Sequence, residues 1–284
     1  MIDGEPQTEP TAEETVARAT TELGAPDALF RASPRRQRAK FFTALGLLAF
    51  GTFVNTLWFV IGPGGFHHFL SHFLFLPFIV GTALLWQLWR HRDLRVLVYP
   101  TGVLALRRGD AESFPWDDIT AVRFKLDIEG EPHVERDEDG AINSVWFATT
   151  APAFQIWNVW IEIVRSDGVL ARFNATLADF PELVERLQRG TFTHLRHQAQ
   201  ESLGRGEPAQ FGKQFAATED TLYSGKTSIA WSNMKPLLLT GRILSIKRKK
   251  SWTISVLRDT ATIDNPHVFW AIAIEQGVIE TDEV

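Results

Sequence analysis

Hydrophobic periodicity divides the chain into three regions. Residues 1–30 have no sustained apolar period; they are rich in Glu, Asp, Thr, Pro and Ala, and Arg18 is their only cation. Such a stretch buries too little apolar surface to offset its ordering entropy. An acidic, largely disordered tail over 1–38 is therefore expected, with a short helix around Glu13–Leu23. It ends in a basic segment, RASPRRQRAK at 31–40.

Two uncharged apolar runs follow, FFTALGLLAFGTFVNTLWFVI at Phe41–Ile61 and FLSHFLFLPFIVGTALLWQLW at Phe69–Trp89. About 20 apolar residues in a helix cover a hydrocarbon core of ~30 Å. A transmembrane helical hairpin over 39–92 is expected, turned by the breaker-rich GPGGFHH. Trp58, Trp86 and Trp89 lie near helix ends, where an amphipathic ring prefers the interface. Asn55 and Pro77 suit helix association and kinking. Arg35, Arg36, Arg38 and Lys40 precede the first run, and Arg90, Arg92 and Arg95 follow the second. The positive-inside rule then puts both termini in the cytoplasm. A cleaved leader is not expected, because the run is too long, starts too late and lacks a cleavage site.

From Leu94 the period becomes two. LRVLVYP, VLALRR, SVWFATT and FQIWNVWIEIVR read as strands between turn signals such as Thr101-Gly102 and Asp167-Gly168. The period then returns to helical at Phe180, Leu183, Val184 and Leu187. Asp179 with Glu182 has capping-box spacing, Pro181 suits a first turn, and the helix is expected to run on past Gly190 to Gly204 or Gly206. This first β module spans 93–204. A second, shorter one spans 205–284: short strands from PAQFGKQFAAT to SWTISVLR, then a helix capped at Asp264 or Asn265 and begun by Pro266. SFPWDDIT at 113–120 and SIAWSNMK at 228–235 occupy the same place in the two modules. Trp116 and Trp231 are thus expected to be structural repeat positions, each packed in the core of its own module.

An antiparallel sheet of six or seven strands plugged by a C-terminal helix follows the logic of a pleckstrin-homology (PH) fold. The stretch YPTGVLALRRGDAESFPWDDITAVRF resembles bacterial PH-like modules. The wider order of LGAPDALFR, two spans, a module, GEPAQFGKQFAAT, IAWSNM and IDNPHVF is similar to a family of uncharacterised bacterial membrane-anchored proteins. SNMK stands where the first copy has DDIT, so the second module is the more diverged. The resemblance implies an α+β chain, a two-helix transmembrane hairpin followed by two tandem PH-like antiparallel β modules, in the bacterial inner membrane as a multi-pass protein. It implies no reaction.

Charge and chemistry narrow the function further. The net charge of −5 shows no basic stripe for nucleic acid, and the absence of Cys excludes disulfides and thiolate chemistry. There is no GxxxxGK[ST], GxSxG or HExxH. No cofactor and no catalytic residue are expected. His67, His68 and His72 read either as a metal, haem or proton-responsive cluster or as interfacial histidines. The loop EGEPHVERDEDG carries six carboxylates without the alternating spacing of a calcium site. The sharpest candidate is Lys247, Arg248, Lys249 and Lys250, closely followed by Trp252, on an expected hairpin. It reads as a contact for anionic phospholipid headgroups, or as a solvated turn whose charges keep an edge strand from pairing. Arg107 and Arg108 stand at the equivalent hairpin of the first module. The expected role is non-catalytic, a membrane-anchored cytoplasmic binding or scaffolding protein. The alternative is a sensor or accessory subunit that meets a protein partner, or a second copy, through its spans.

Overall fold

The computed structural model describes residues 12–61, 67–91, 93–107, 110–128, 130–150 and 159–279. It is a mixed fold of helix and sheet with an apolar helix near the N-terminus. Helix α1 (Ala12–Leu23) leads into strand β1 (Ala28–Arg31), then α2 (Pro34–Ile61) and α3 (His67–His91). Strands β2 (Arg95–Tyr99), β3 (Gly102–Arg107) and β4 (Asp110–Pro115) complete a four-stranded antiparallel sheet in the order β1-β2-β3-β4. A 3₁₀ turn, Trp116–Asp118, hands the chain to β5 (Ile119–Lys125). An excursion follows, with β6 (Asp127–Ile128) paired to β9 (Thr149–Thr150) and β7 (His133–Arg136) to β8 (Ile142–Trp146). Then β10 (Trp160–Arg165) and β11 (Leu170–Asn174) make the sheet β11-β10-β5, and α4 (Phe180–Gly204) closes the unit.

The second unit repeats this plan. Strands β12 (Ala209–Gln210), β13 (Phe215–Ala217), β14 (Thr221–Ser224) and β15 (Thr227–Ala230) form a four-stranded sheet. After the 3₁₀ turn Trp231–Asn233 come β16 (Leu238–Thr240), β17 (Ile243–Ile246) and β18 (Val256–Asp259) in one sheet, then α5 (Pro266–Glu275). Backbone bonds match in detail. Ala178 N–H donates to the carbonyl of Arg31 at the end of β1, and Asp264 N–H to that of Phe211 just after β12. Asp179 and Asn265, the residues before the two helices, are both left-handed, with φ of 49° and 53°. The expected capping box is not formed; Asp179 makes no side-chain cap bond, and Glu182 instead pairs with Arg186 one turn on.

The first unit begins well upstream of Leu94. Strand β1 pairs antiparallel with β2, with Arg31 opposite Arg95, so α2 and α3 sit inside a β-hairpin connection. The tail is thus not all disordered up to residue 38. Leu23 of α1 is buried with Leu97, Tyr99 and Leu104 on the outer face of the first sheet. This explains why Val96–Tyr99 reads as a continuous apolar run: covered on both faces, a strand has no polar side to alternate. Arg36 ties the start of α2 to the body by donating to the carbonyls of Ala175 and Leu177.

The apolar helices require a correction. Among the described residues one helix, over Pro34–Thr56, is long and apolar enough to cross a membrane, and the apolar stretch of α3 is the shorter Leu76–Trp86. The expected multi-pass protein of the inner membrane, with both termini cytoplasmic, is therefore not supported. The two helices do touch through small residues. A Cβ added at Gly51 would meet the Phe78 ring at 3.0 Å, and one at Gly81 would meet Leu48 at 2.9 Å. Their outward sides expose Phe42, Phe50, Phe53, Ile79, Trp86 and Trp89.

One hydrophobic core runs through both units. Phe147 of the first meets Trp270 of α5 edge-on at 5.7 Å, and Phe192 of α4 lies 6.1 Å from the His267 ring. The units are joined as parts of one body.

Candidate functional site

The two repeated tryptophans hold the corner between the sheets of each unit. Trp116 N–H donates to Thr101 O at 3.0 Å, and its indole Nε1 donates to Pro100 O at 2.9 Å. Trp231 does the same, with N–H to Asp220 O at 3.0 Å and Nε1 to Thr218 O at 2.9 Å. The short polar pair after each Trp closes a 3₁₀ turn, because Ile119 N–H and Met234 N–H return to the Trp carbonyls. Each ring then seats on the helix of its own unit. Half-buried Trp116 lies on Gly190 of α4, where an added Cβ would come within 2.6 Å of the ring. Buried Trp231 lies 6.4 Å from the Phe269 ring of α5. The mid-helix glycine thus has a packing reason, and these two positions hold architecture.

The basic cluster lies in the loop between β17 and β18. Its first limb runs on beside the turn of Trp231: Lys235 N–H donates to Lys247 O and Lys249 N–H to Asn233 O, both at 2.9 Å. Arg248 donates from Nη2 to Ser228 O at 3.2 Å. Thr253 N–H closes on the Ser251 hydroxyl at 3.2 Å. Trp252 then stands free at 99 % exposure, with Lys249 and Lys250 exposed beside it and Ile254 partly exposed beyond. Among the described residues none of Lys247, Arg248, Lys249 or Lys250 is in an ion pair, so the positive charge of the tip is uncompensated. A fully exposed indole next to such a cluster suits an apolar–polar boundary.

Other sequence candidates resolve differently. In the acidic loop, Asp137 Oδ1 accepts the N–H groups of Asp139 and Ala141, and Glu135 accepts from Ser144 and Arg189. These carboxylates shape a hairpin. Among the described residues no group of His, Asp and Glu is arranged to hold a metal. The side chains of His67, His68 and His72 lie outside the described residues, as does Arg108.

The polar seam between the units was not legible in the sequence. Glu162, 3 % exposed, is paired with Arg123 at 3.4 Å and Arg172 at 2.7 Å. Arg123 also pairs with Asp264 of the second unit at 2.5 Å. Burying a carboxylate is costly unless such partners compensate it. His267 is buried at the same seam, its Nε2 3.3 Å from the Thr191 hydroxyl, and burial pushes its pKa down to about 3.

No family model, no curated protein and no solved structure matches the chain.

Proposed function

We propose that the chain is a non-catalytic binding or scaffolding protein, built from two PH-like β units and attached to a lipid bilayer. The four-stranded sheet, three-stranded sheet and closing helix of each unit support the PH-like reading. The outward phenylalanines of α2 and its length supply the apolar attachment. The observation that carries the reading is the loop tip, where an almost fully exposed Trp252 stands among four cations that make no ion pair among the described residues, in a chain of net charge −5. Each cation near an anionic surface contributes about 1 kcal/mol, and the indole inserts at the interface.

The experiment separates the tip from the apolar helices. Arg31 and Arg95 already face each other across β1 and β2, and the second unit closes the same hairpin with Phe211–Gln214. Replacing 34–92 by a short linker should leave a soluble body. That body should co-sediment with anionic vesicles at low salt and release at physiological salt, where the Debye length is about 8 Å. Exchanging Lys247, Arg248, Lys249 and Lys250 for Gln should abolish the binding. Equal, negligible sedimentation with neutral and anionic vesicles at low salt would make the cluster a solvated turn.

A further inference from the structure

The twin tryptophans differ in cover: Trp116 is half-buried, whereas Trp231 is 4 % exposed. The helices beside them differ too. Counting on from Asp179 and Asn265, the left-handed residues before α4 and α5, Val268, Ala271 and Ile272 of the second unit stand where the first has Glu182, Glu185 and Arg186. The three apolar side chains are buried and the three charged ones are not. A cleft of about 400 Å³ opens on this side of α4, with Asp27 just before β1, Pro100 of the β2–β3 turn, Trp116 and Gly190 among its walls. That volume falls at the small end of ligand sites.

Trp116 spends its indole N–H on Pro100 O, so the ring has only its π surface left to offer. That surface attracts cations. The first unit uses the attraction elsewhere: Arg189 lies 3.9 Å from the centre of the Trp146 ring, and Arg172 lies 4.3 Å from that of Trp160. Among the described residues no cation stands over Trp116. The two arginines in the cleft wall are held by glutamates of their own helix, Arg186 by Glu182 at 2.9 Å and Arg189 by Glu185 at 3.3 Å. Asp27 is fixed by its backbone N–H, which donates to Val98 O at 2.8 Å, while its side chain is exposed and in no ion pair among the described residues. The cleft thus joins an indole without a cation to a carboxylate without one.

We propose that this cleft of the first unit receives a basic side chain, Arg or Lys, of a partner protein. The guest's charge takes the place over Trp116 that Arg189 and Arg172 take over the other two indoles, and Asp27 is its counter-ion. Its aliphatic stem lies along Pro100 and Val98, since long basic side chains cover apolar surface while their charged ends reach a polar partner. The other charges of the wall are already matched in pairs, so one added cation balances the cleft. Arg is the better guest, because a planar guanidinium both stacks on an aromatic face and meets a carboxylate with two N–H groups. The inference stands whether or not the loop tip at Trp252 meets lipid.

The test uses the full chain in neutral detergent and saturation-transfer NMR. The probes are N-acetyl-arginine methylamide and its citrulline analogue, which has the same shape without the charge. Wild type should bind the arginine probe at millimolar concentration and the citrulline probe at least fivefold more weakly. Asp27→Asn should lose at least fivefold in affinity for the arginine probe, and Asp27→Glu should recover most of it. Trp116→Leu should lose as much; because Trp116 also holds the corner of the fold, the Asp27 pair carries the test if that variant unfolds. Lys249→Gln with Lys250→Gln at the loop tip should bind like wild type. Three results overturn the proposal: no transfer to the arginine probe at millimolar concentration, equal binding of the two probes, or equal binding by wild type and Asp27→Asn. Spermidine binding tenfold tighter than the arginine probe would assign the cleft to a free polyamine and likewise overturn a partner's side chain as the guest.

Discussion

Val122 and Asn265 exchange two hydrogen bonds across the seam between the units. Asn265 N–H donates to Val122 O at 2.7 Å, and Val122 N–H donates to Asn265 Oδ1 at 2.6 Å. Strand β5 is the edge of its sheet, and Asn265 completes it as one residue of a further strand would. Only a short carbonyl-bearing side chain does this from φ 53°, a region Asn tolerates and most residues do not.

Asn265→Ala should therefore destabilise the whole body. The buried Val122 N–H loses its acceptor, at about 1–3 kcal/mol, and the positive φ adds roughly 1 kcal/mol of strain. Asn265→Gly removes the strain and keeps the orphaned donor, so it should fall between wild type and Ala. Urea unfolding followed by tryptophan fluorescence checks the order. The transition should stay single, because the core is shared; two separated transitions would show the units to be independent.

Gly190→Ala should also destabilise, although Ala is the better helix former by about 1 kcal/mol. The new methyl would come within 2.6 Å of the Trp116 indole. Overpacking of this kind typically costs about 1–3 kcal/mol. A Trp116→Leu background should relieve the clash, so the two substitutions should combine less than additively in a thermal-melt cycle. Full additivity would mean that the helix shifts freely away from the ring.

His267 makes the fold sensitive to acid. Its folded pKa is lowered to about 3 by burial, against 6.5 for an unburied imidazole. Above pH 6.5 both states are neutral and the group has no pH effect. As pH falls from 6.5 towards 3 only the unfolded chain takes up the proton, so stability drops by up to about 1.4 kcal/mol per pH unit. Urea midpoints at pH 7.5 and 5.0 measure this. In His267→Leu the difference between the two midpoints should shrink; an unchanged difference would assign the acid sensitivity to other groups.

Excising residues 34–92 should leave the β body folded. The substitute connection joins strand ends that are already neighbours, as the second unit joins its own with four residues, Phe211–Gln214. The circular dichroism of the β region and the shared thermal transition should persist. Collapse of the body on excision would show that α2 is part of its core.

The sequence carried the local features well. Period-two runs, Asp167-Gly168 and the twin tryptophans were legible because each is set by neighbours in the chain. The packing of Trp116 on Gly190 was not, since nothing local pairs residues that far apart. Strand β1 hid in an acidic tail because its partner lies beyond two apolar helices. The apolar runs are legible in composition, but among the described residues one helix, over Pro34–Thr56, is long and apolar enough to cross a membrane, so a second crossing is not supported. The charged loop was found by its composition.

The placement of α2 and α3 within a hairpin has a mechanical consequence. A module hung on a single flexible linker can swivel and drift. This body is held at two adjacent strand ends, Arg31 and Arg95, and Arg36 adds a brace to the carbonyls of Ala175 and Leu177. Torque on the helices passes directly into the pairing of β1 with β2. Whatever surface the helices rest on thus fixes the tilt and height of both β units above it, much as a bracket with two bolts holds a shelf level.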